Sequence, residues 1–327
     1  MEIRRFDENK DSFEELIKLF KTGLGETDID FWNWKYLQNT GFDKQIMYVI
    51  LDGEKYVAMM GFVPFEYLSP DGKVLKYVQT CDLVVLPEYR GQGLFYKIHQ
   101  YAENDLANNG YLALFGFPND NSLHGFLKMN YHPNNICVCK PKSNLFYMIK
   151  NKLKLPTINA KNEFDCYVEQ DYCSKIAQLN FDSNWLLNKY IRLNINKDFL
   201  IWRCESYNKG KYKCIFVKDN DKLIAYFIVL VTKGSHFTAS KIVFFNVNNN
   251  YMSQIGSIIK NVKKVIYSFS DMIDFYGIWP DEVKDIICKF GVKAKNIINA
   301  KTYTIKYLNN HNEDGVERFI NHIDTDL

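Results

Sequence analysis

The stretch Leu83-Val84-Val85-Leu86-Pro87-Glu88-Tyr89-Arg90-Gly91-Gln92-Gly93-Leu94-Phe95 constrains this chain more than any other. A β-branched run stops at Pro87, which cannot donate to a central ladder, and an amphipathic helical pattern starts at Leu94 and continues through Ile98, Tyr101, Ala102 and Leu106. Strand, loop and helix therefore follow one another directly. Gly91 and Gly93 bracket Gln92 at the helix entrance, so the backbone can turn sharply there and a bulky anion can come close to its N–H groups. Those amides, the positive end of the helix dipole and the forked guanidinium of Arg90 all favour phosphate. Two other phosphate loops are excluded. No Gly-Lys-Ser/Thr follows, as a Walker loop requires, and Tyr96 stands where a dinucleotide fingerprint needs its third glycine.

Downstream, Tyr111-Leu112-Ala113-Leu114-Phe115-Gly116-Phe117 reads as a buried strand, ended by Pro118-Asn119-Asp120-Asn121-Ser122. A helix follows, capped by Asp120, Asn121 or Ser122 and presenting Leu123, Phe126, Leu127 and Tyr131 on a compatible face. From about Cys81 to Tyr131 the chain thus resembles the acyl-CoA-binding region of the GNAT acetyltransferase family, whose Gln/Arg-x-x-Gly-x-Gly/Ala segment lies at the same strand-to-helix junction. Arg90-Gly91-Gln92-Gly93 matches the core of that pattern, and Glu88 departs from its leading Gln or Arg.

The resemblance implies an acyl-CoA co-substrate, with acetyl-CoA the expected donor. Its binding residues are expected at Leu83, Val84, Val85, Arg90, Gly91, Gln92, Gly93, Leu94 and Phe95. A splayed strand would admit the pantetheine arm, and Asn119 or Asn121 would open the next helix. In such chemistry an amine attacks the thioester directly, so the protein positions two substrates, stabilises the oxyanion and removes a proton from the ammonium. The oxyanion role falls to a strand amide near Leu83 to Val85. Asp82, at the start of that strand, is the expected base, because a partly desolvated carboxylate is suited to taking a proton; its plain alternative is a solvated strand residue. Many family members carry Tyr-x-Lys-x-Gly-Phe in the later helix, where this chain has Phe126-Leu127-Lys128-Met129-Asn130-Tyr131. Phe126 has no hydroxyl, which leaves His124, Tyr131 and His132 as replacement acids, or a thiolate that departs unaided.

The chain also repeats itself at roughly 160 to 168 residues, far longer than a solenoid period. Asp30-Phe31-Trp32-Asn33-Trp34-Lys35 recurs as Asp198-Phe199-Leu200-Ile201-Trp202-Arg203, and the hairpin Tyr48 to Ala58 with its Asp-Gly turn recurs as Cys214 to Ala225. Ile278-Trp279-Pro280 echoes Phe117-Pro118. The expected architecture is α/β: two tandem GNAT-like domains, each a twisted mixed sheet flanked by helices, spanning 1–147 and 164–327 with a linker at 148–163. Aligning Cys81 to Val85 with Ser240 to Phe244 leaves Asn246-Val247-Asn248-Asn249-Asn250-Tyr251 as the second phosphate loop, without glycine or arginine. The second copy is therefore expected to keep the fold, to lack acyl-CoA binding, and to wall the acceptor pocket or complete the edge of the first sheet.

With 327 residues, 47% hydrophobic and 24% charged, the chain can bury two substantial cores. A net charge of +3, with lysines scattered or clustered only from Lys140 to Lys154, where Lys150, Lys152 and Lys154 read as a solvated linker, argues against nucleic acid. Met1-Glu2-Ile3-Arg4-Arg5 is no leader and Leu223 to Val231 is too short to span a bilayer, so the expectation is a cytoplasmic protein without membrane contact. Eight cysteines show no metal spacing, so no metal is expected. For the acceptor, Phe31 and Trp32 are the expected contacts, Trp34 being matched by Trp202 and so assigned to the core. The reading is an N-acetyltransferase acting on a small amine such as an amino sugar or amino acid derivative. Rival readings are a long-chain acyltransferase, a non-catalytic acyl-CoA sensor, and a relative of ligases that use aminoacyl-tRNA.

Overall fold

Two apolar hairpins lead each half of the chain into the same arrangement. The computed structural model describes residues 1–25, 28–39, 46–139, 149, 153, 163–179, 189–207, 210–293, 297–309, 311 and 318–321; of the expected linker, 149, 153 and 163 are among them, and Lys150, Lys152 and Lys154 are not. In the first half, β1 (Glu2–Arg5) pairs with β2 (Ile46–Asp52), which turns into β3 (Lys55–Leu68) and then β4 (Val74–Val85), all antiparallel. In the second, β7 (Asp165–Glu169), β9 (Tyr212–Asp219), β10 (Lys222–Lys233) and β11 (Thr238–Val247) repeat that order and sense. Gly53 (φ 62°) and Asn220 (φ 53°) supply the left-handed residue of each hairpin turn, and these are the residue types that reach it at least cost.

Each antiparallel set then crosses over a helix to a parallel strand. Helix α3 (Leu94–Asn108) leads to β5 (Ala113–Gly116) beside β4, and α7 (Ile255–Ile266) leads to β12 (Met272–Ile278) beside β11. Further helices α1 (Phe13–Leu24), α2 (Ile29–Tyr36) and α4 (Asp120–Lys128) belong to the first half; α5 (Tyr172–Ala177), α6 (Lys197–Leu200) and α8 (Asp281–Lys289) belong to the second.

The final strands are exchanged. β13 (Ile297–Tyr307), from the second half, lies antiparallel between β5 and β6 (His132–Cys139) of the first, while β6 lies between β13 and β12. The first half gives β6 to the second and the second gives β13 to the first, so the order β1-β2-β3-β4-β5-β13-β6-β12-β11-β10-β9-β7 runs through one continuous sheet. Short β8 (Ile191–Leu193) and β14 (Arg318–Asn321) add a second stitch from β3 to β12. The second half thus completes the first sheet, and the larger apolar core draws residues from both halves.

At the centre, Trp34 of α2 and Trp202 stack with centroids 5.1 Å apart and planes 19° apart. Trp34 Nε1 donates to the Trp202 carbonyl at 2.7 Å, and Trp202 Nε1 donates to the Trp34 carbonyl at 2.9 Å. This reciprocity is that of an isologous two-fold contact, here within one chain.

Backbone pairing also corrects the alignment of the copies. Val85 faces Ala58 and the Leu86 amide bonds the Val57 carbonyl; Val247 faces Ala225 and the Asn248 amide bonds the Ile224 carbonyl. The counterpart of Val85 is therefore Val247 rather than Phe244, and counting back along the strands sets Phe244 opposite Asp82 in the comparison. Sequence similarity between two β-branched runs does not fix register to a single residue.

Candidate functional site

The pairing of β4 with β5 ends at Gln79 opposite Phe115, although β4 runs on to Val85. Thr80 holds the fork: its hydroxyl donates to the Phe115 carbonyl at 3.0 Å, and a Cβ on Gly116 would stand 2.4 Å from Thr80 Oγ1. Beyond the fork lies a cleft of about 370 Å³. Met60, Leu83, Phe95, Phe117 and Phe126 give it apolar walls, and Gln79, Asp82, Asn119 and Ser122 give it polar points. Gln79 is a missed feature: it is 4% exposed, its Oε1 has no hydrogen-bond partner, and it lines the cleft. A buried acceptor left unpaired costs on the order of 1–3 kcal/mol, so it calls for a donor from outside the protein.

The cleft's far wall is shaped by a bulge. Met60 pairs with Leu83 but Phe62 pairs with Thr80, so β4 carries an extra residue around Cys81 and Asp82. The Asp82 carboxylate meets two donors there, Lys35 Nζ at 2.9 Å and the Tyr36 hydroxyl at 2.7 Å. Lys35 is 1% exposed, and although burial opposes its charge, the neighbouring Cys81 and Asp82 leave its ammonium held above the ordinary lysine value. Burial raises the Tyr36 hydroxyl well above its usual range, with Asp82 acting in the same direction, and burial pushes the Cys81 thiol up to about 12, so both stay protonated. Gly61 makes room, since a Cβ there would lie 2.3 Å from the Tyr36 hydroxyl. The lone carboxylate expected from the sequence is one half of an ion pair, with its orientation fixed by α2.

At the cleft mouth the glycine loop has the form expected. Gly91 (φ 77°) and Gly93 (φ 73°) both take left-handed backbone, and a Cβ on either would meet nothing within 4 Å. Gly93 caps α3 without a side-chain bond, so the first amides of the helix, from Leu94 onward, lack helical acceptors. Arg90 and Gln92 are exposed beside them, and Arg90 Nε reaches the Val85 carbonyl at 3.2 Å. The loop is tied down by Tyr89, whose hydroxyl donates to Asp52 at 3.0 Å, and by the Lys55–Glu88 pair at 2.8 Å. Open space, unmet amides and the buried Gln79 oxygen fit a phosphate-bearing arm threaded into the β4–β5 fork. Leu94 and Val84 are buried in the core, and a Cβ on Gly23 would stand 2.1 Å from Val84 Cγ1. Both can serve such a ligand only through their backbones.

Several expectations are corrected. Of the two asparagines the resemblance offered it is Asn119 that caps α4, in place of Asp120, Asn121 or Ser122, accepting from the Ser122 amide at 3.0 Å, and it lines the cleft. Asn121 lies inside that helix, its side chain outside the described residues. Tyr131 is buried behind Phe126, and its hydroxyl contacts His99 Nε2 at 3.0 Å, so it does not face the cleft. His124 is exposed and off the cleft lining. Neither supplies the acid the sequence offered. Trp32 is 1% exposed, packed between Phe13 and Tyr36, and cannot meet a substrate. Trp34 is core as expected, 1% exposed and stacked on Trp202, and its edge together with Phe31 borders an open cavity. Lys35, Tyr36 and Gln79 escaped sequence reading because a bulge and a strand fork bring them to Asp82; the one available signal was a lysine amid an aromatic helix face. Among the described residues no group of three or more His, Cys, Asp or Glu could hold a metal, and no helix is long and apolar enough to cross a membrane.

Residues 2–133 match the family model for the acetyltransferase (GNAT) domain. No curated protein sequence matches the chain. Among solved structures, a conserved Enterococcus faecalis protein of unknown function, a probable N-acyltransferase, superposes with a TM-score of 0.67 at 12% identity, covering 94% of this chain and 72% of that one. A GCN5-related N-acetyltransferase from Anabaena variabilis gives 0.62 at 12% identity, covering 94% and 73%. The N-myristoyltransferase of Saccharomyces cerevisiae, with bound myristoyl-CoA, gives 0.56 at 11% identity over 99% and 83%. At these identities the likeness is one of fold, and it embraces both copies.

Proposed function

Because residues 2–133 form a domain of the GNAT acetyltransferase family, we propose that this N-acyltransferase moves an acetyl group from acetyl-CoA to the amine of a small molecule in a ternary complex. The observation that carries the proposal is the fork between β4 and β5, open beside a glycine loop whose amides are unmet. Bound acyl-CoA would supply the thioester carbonyl and a thiolate leaving group. Arg90 and the amides at Gly91 to Phe95 hold its phosphates, and Gln79 Oε1 accepts an N–H of the pantetheine arm. A backbone amide of β4 near Leu83 donates to the developing oxyanion.

Asp82 receives the acceptor's ammonium. Lys35 and Tyr36 both engage its Oδ2, so Oδ1 remains to take the proton as the amine attacks. With Phe126 at the usual tyrosine position and Tyr131 engaged by His99, no protein group is assigned to protonate the thiolate. The second copy takes the role of wall and sheet edge. Thermal unfolding with acetyl-CoA, CoA and palmitoyl-CoA, followed by thiol release against a panel of amines, tests the reading. A ligand at about a hundred times its Kd adds roughly 2.7 kcal/mol of stability. A shift with acetyl-CoA and turnover with an amine is the expected result; no shift with any CoA species would overturn it, and a shift with palmitoyl-CoA alone would replace acetyl by a long chain.

A further inference from the structure

A second cavity, of about 820 Å³, lies where Phe31 and Trp34 of α2 overhang the sheet of the second copy. Pseudo-symmetry explains why it is there. Val63 pairs with Gln79 as Leu230 pairs with Lys241, which matches the two sheets residue by residue. Under that match the pair Phe65–Tyr77 becomes Thr232–Ala239, and Phe115, opposite Gln79, becomes Asp274, opposite Lys241. In the first copy the space is packed solid: Phe65 sits 5.6 Å from Phe115, 6.2 Å from Phe199 and 6.4 Å from Trp202. In the second copy the three aromatic rings are gone while the overhang, Phe31 and Trp34, remains.

The vacated space is lined by cations. Arg203, Lys211, Lys233 and Lys241 border it with Lys213, whose Nζ turns away to the Phe269 ring at 5.4 Å, and no carboxylate is among the described lining residues. Arg203 is 3% exposed with its guanidinium 5.6 Å from the Trp34 ring, and Lys211 Nζ lies 4.8 Å from the Tyr207 ring. Asp28 acts on Lys211 and Asp274 on Lys241, which leaves the cations in excess. In a chain of net charge +3, such a concentration inside a concavity raises the local potential for anions.

We propose that this cavity is a binding site for a small phosphate-bearing molecule with a flat body, the body filling the space that Phe65, Tyr77 and Phe115 occupy in the first copy and the phosphate meeting Arg203 and the lysines. The site is separate from the acyl-CoA cleft and does not depend on the reading of that cleft. The test is a titration with ADP, with inorganic pyrophosphate and adenosine as the two halves of the probe, on the Gly93→Val chain, whose acyl-CoA loop is closed, read by tryptophan fluorescence and calorimetry. ADP binds more tightly than either half, Lys211→Glu and Lys241→Glu each weaken it about tenfold, and Thr232→Phe, which restores the first copy's ring, abolishes it. Thr232 is exposed, so an unchanged unfolding temperature shows that the fold survives the variant. Absence of ADP binding, or binding that all three variants leave intact, overturns the proposal. If CoA itself fails to bind, the ADP arm with the same variants still decides this site alone.

Discussion

The two copies share their framework down to single hydrogen bonds and part company where a ligand would lie. Tyr89 reaches Asp52 at 3.0 Å in the first, and Tyr251 reaches Asp219 at 2.9 Å in the second, the same tie between loop and hairpin turn. Both carry a bulge on the strand beside the fork. Yet Gly91 and Gly93 take left-handed backbone, whereas Asn249–Gln254 form a 3-10 turn, and among the described residues no positive φ occurs there. Asp82, held by Lys35 and Tyr36, becomes Phe244. The framework is retained because strand exchange and the tryptophan pair require it of both copies; the ligand-facing residues of the second are released from that requirement.

That comparison is sharpened first at the shared centre. Trp34→Ala and Trp202→Ala each remove a buried ring and leave the partner's carbonyl without its donor, so each is expected to cost about 3–5 kcal/mol in chemical denaturation. Their double mutant should fall short of the sum by about 0.5–3 kcal/mol. Additive losses would mean that the pair does not act as a unit. At the divergent site, Asp82→Asn should lower turnover by about 10²–10³-fold with little change in acyl-CoA affinity, while Phe244→Asp confers no activity on the second copy. An equal fall in affinity and turnover would return Asp82 to a structural role.

Gly93→Val forces a β-branched residue into left-handed backbone and fills the space beside the helix amides, so acyl-CoA affinity should drop about 100-fold or more. Gly256 in α7 carries no such conformation, and Gly256→Val should leave affinity unchanged.

A smaller effect comes from the lent strand β13, whose Lys306 meets both oxygens of Glu103 on α3 at 2.7 Å. Burial opposes ionisation of Glu103, but His99 and Lys306 outweigh it and hold the carboxyl below the ordinary range. A depressed carboxyl contributes stability above the unfolded value, near pH 4.3, and loses it as pH falls through the folded one. Lys306→Met should therefore flatten the acid limb of the stability profile and cost about 1–2 kcal/mol at neutral pH. The least effect is expected at the ties: Tyr89→Phe and Tyr251→Phe should each cost under about 1 kcal/mol, with only the first reducing acyl-CoA affinity.

Local pattern carried much of this into view. The hairpins, the helix after Gly93 and the repeat are visible because periodicity and turn residues are local, and the loop glycines prove to need the left-handed backbone for which glycine is chosen. What stayed hidden is non-local. The bulge that brings Lys35 and Tyr36 to Asp82 and the placing of Gln79 in the fork, itself expected from the resemblance, depend on pairing across distant strands, as does the exchange of β6 and β13. Trp34 could be assigned to the core from its match to Trp202, but the burial of Trp32, whose counterpart is Leu200, could not be read without the surface that packs on it. His124 and Tyr131 were suggested by proximity in sequence, whereas the turn after α4 folds Tyr131 back beneath Phe126.

The most direct measurement is the stoichiometry of acetyl-CoA binding by calorimetry on the intact chain and on the Gly93→Val variant. The account predicts a single site on the intact chain and none on the variant. Two sites, or one that survives Gly93→Val, would contradict the claim that acyl-CoA binds at the glycine loop of the first copy alone.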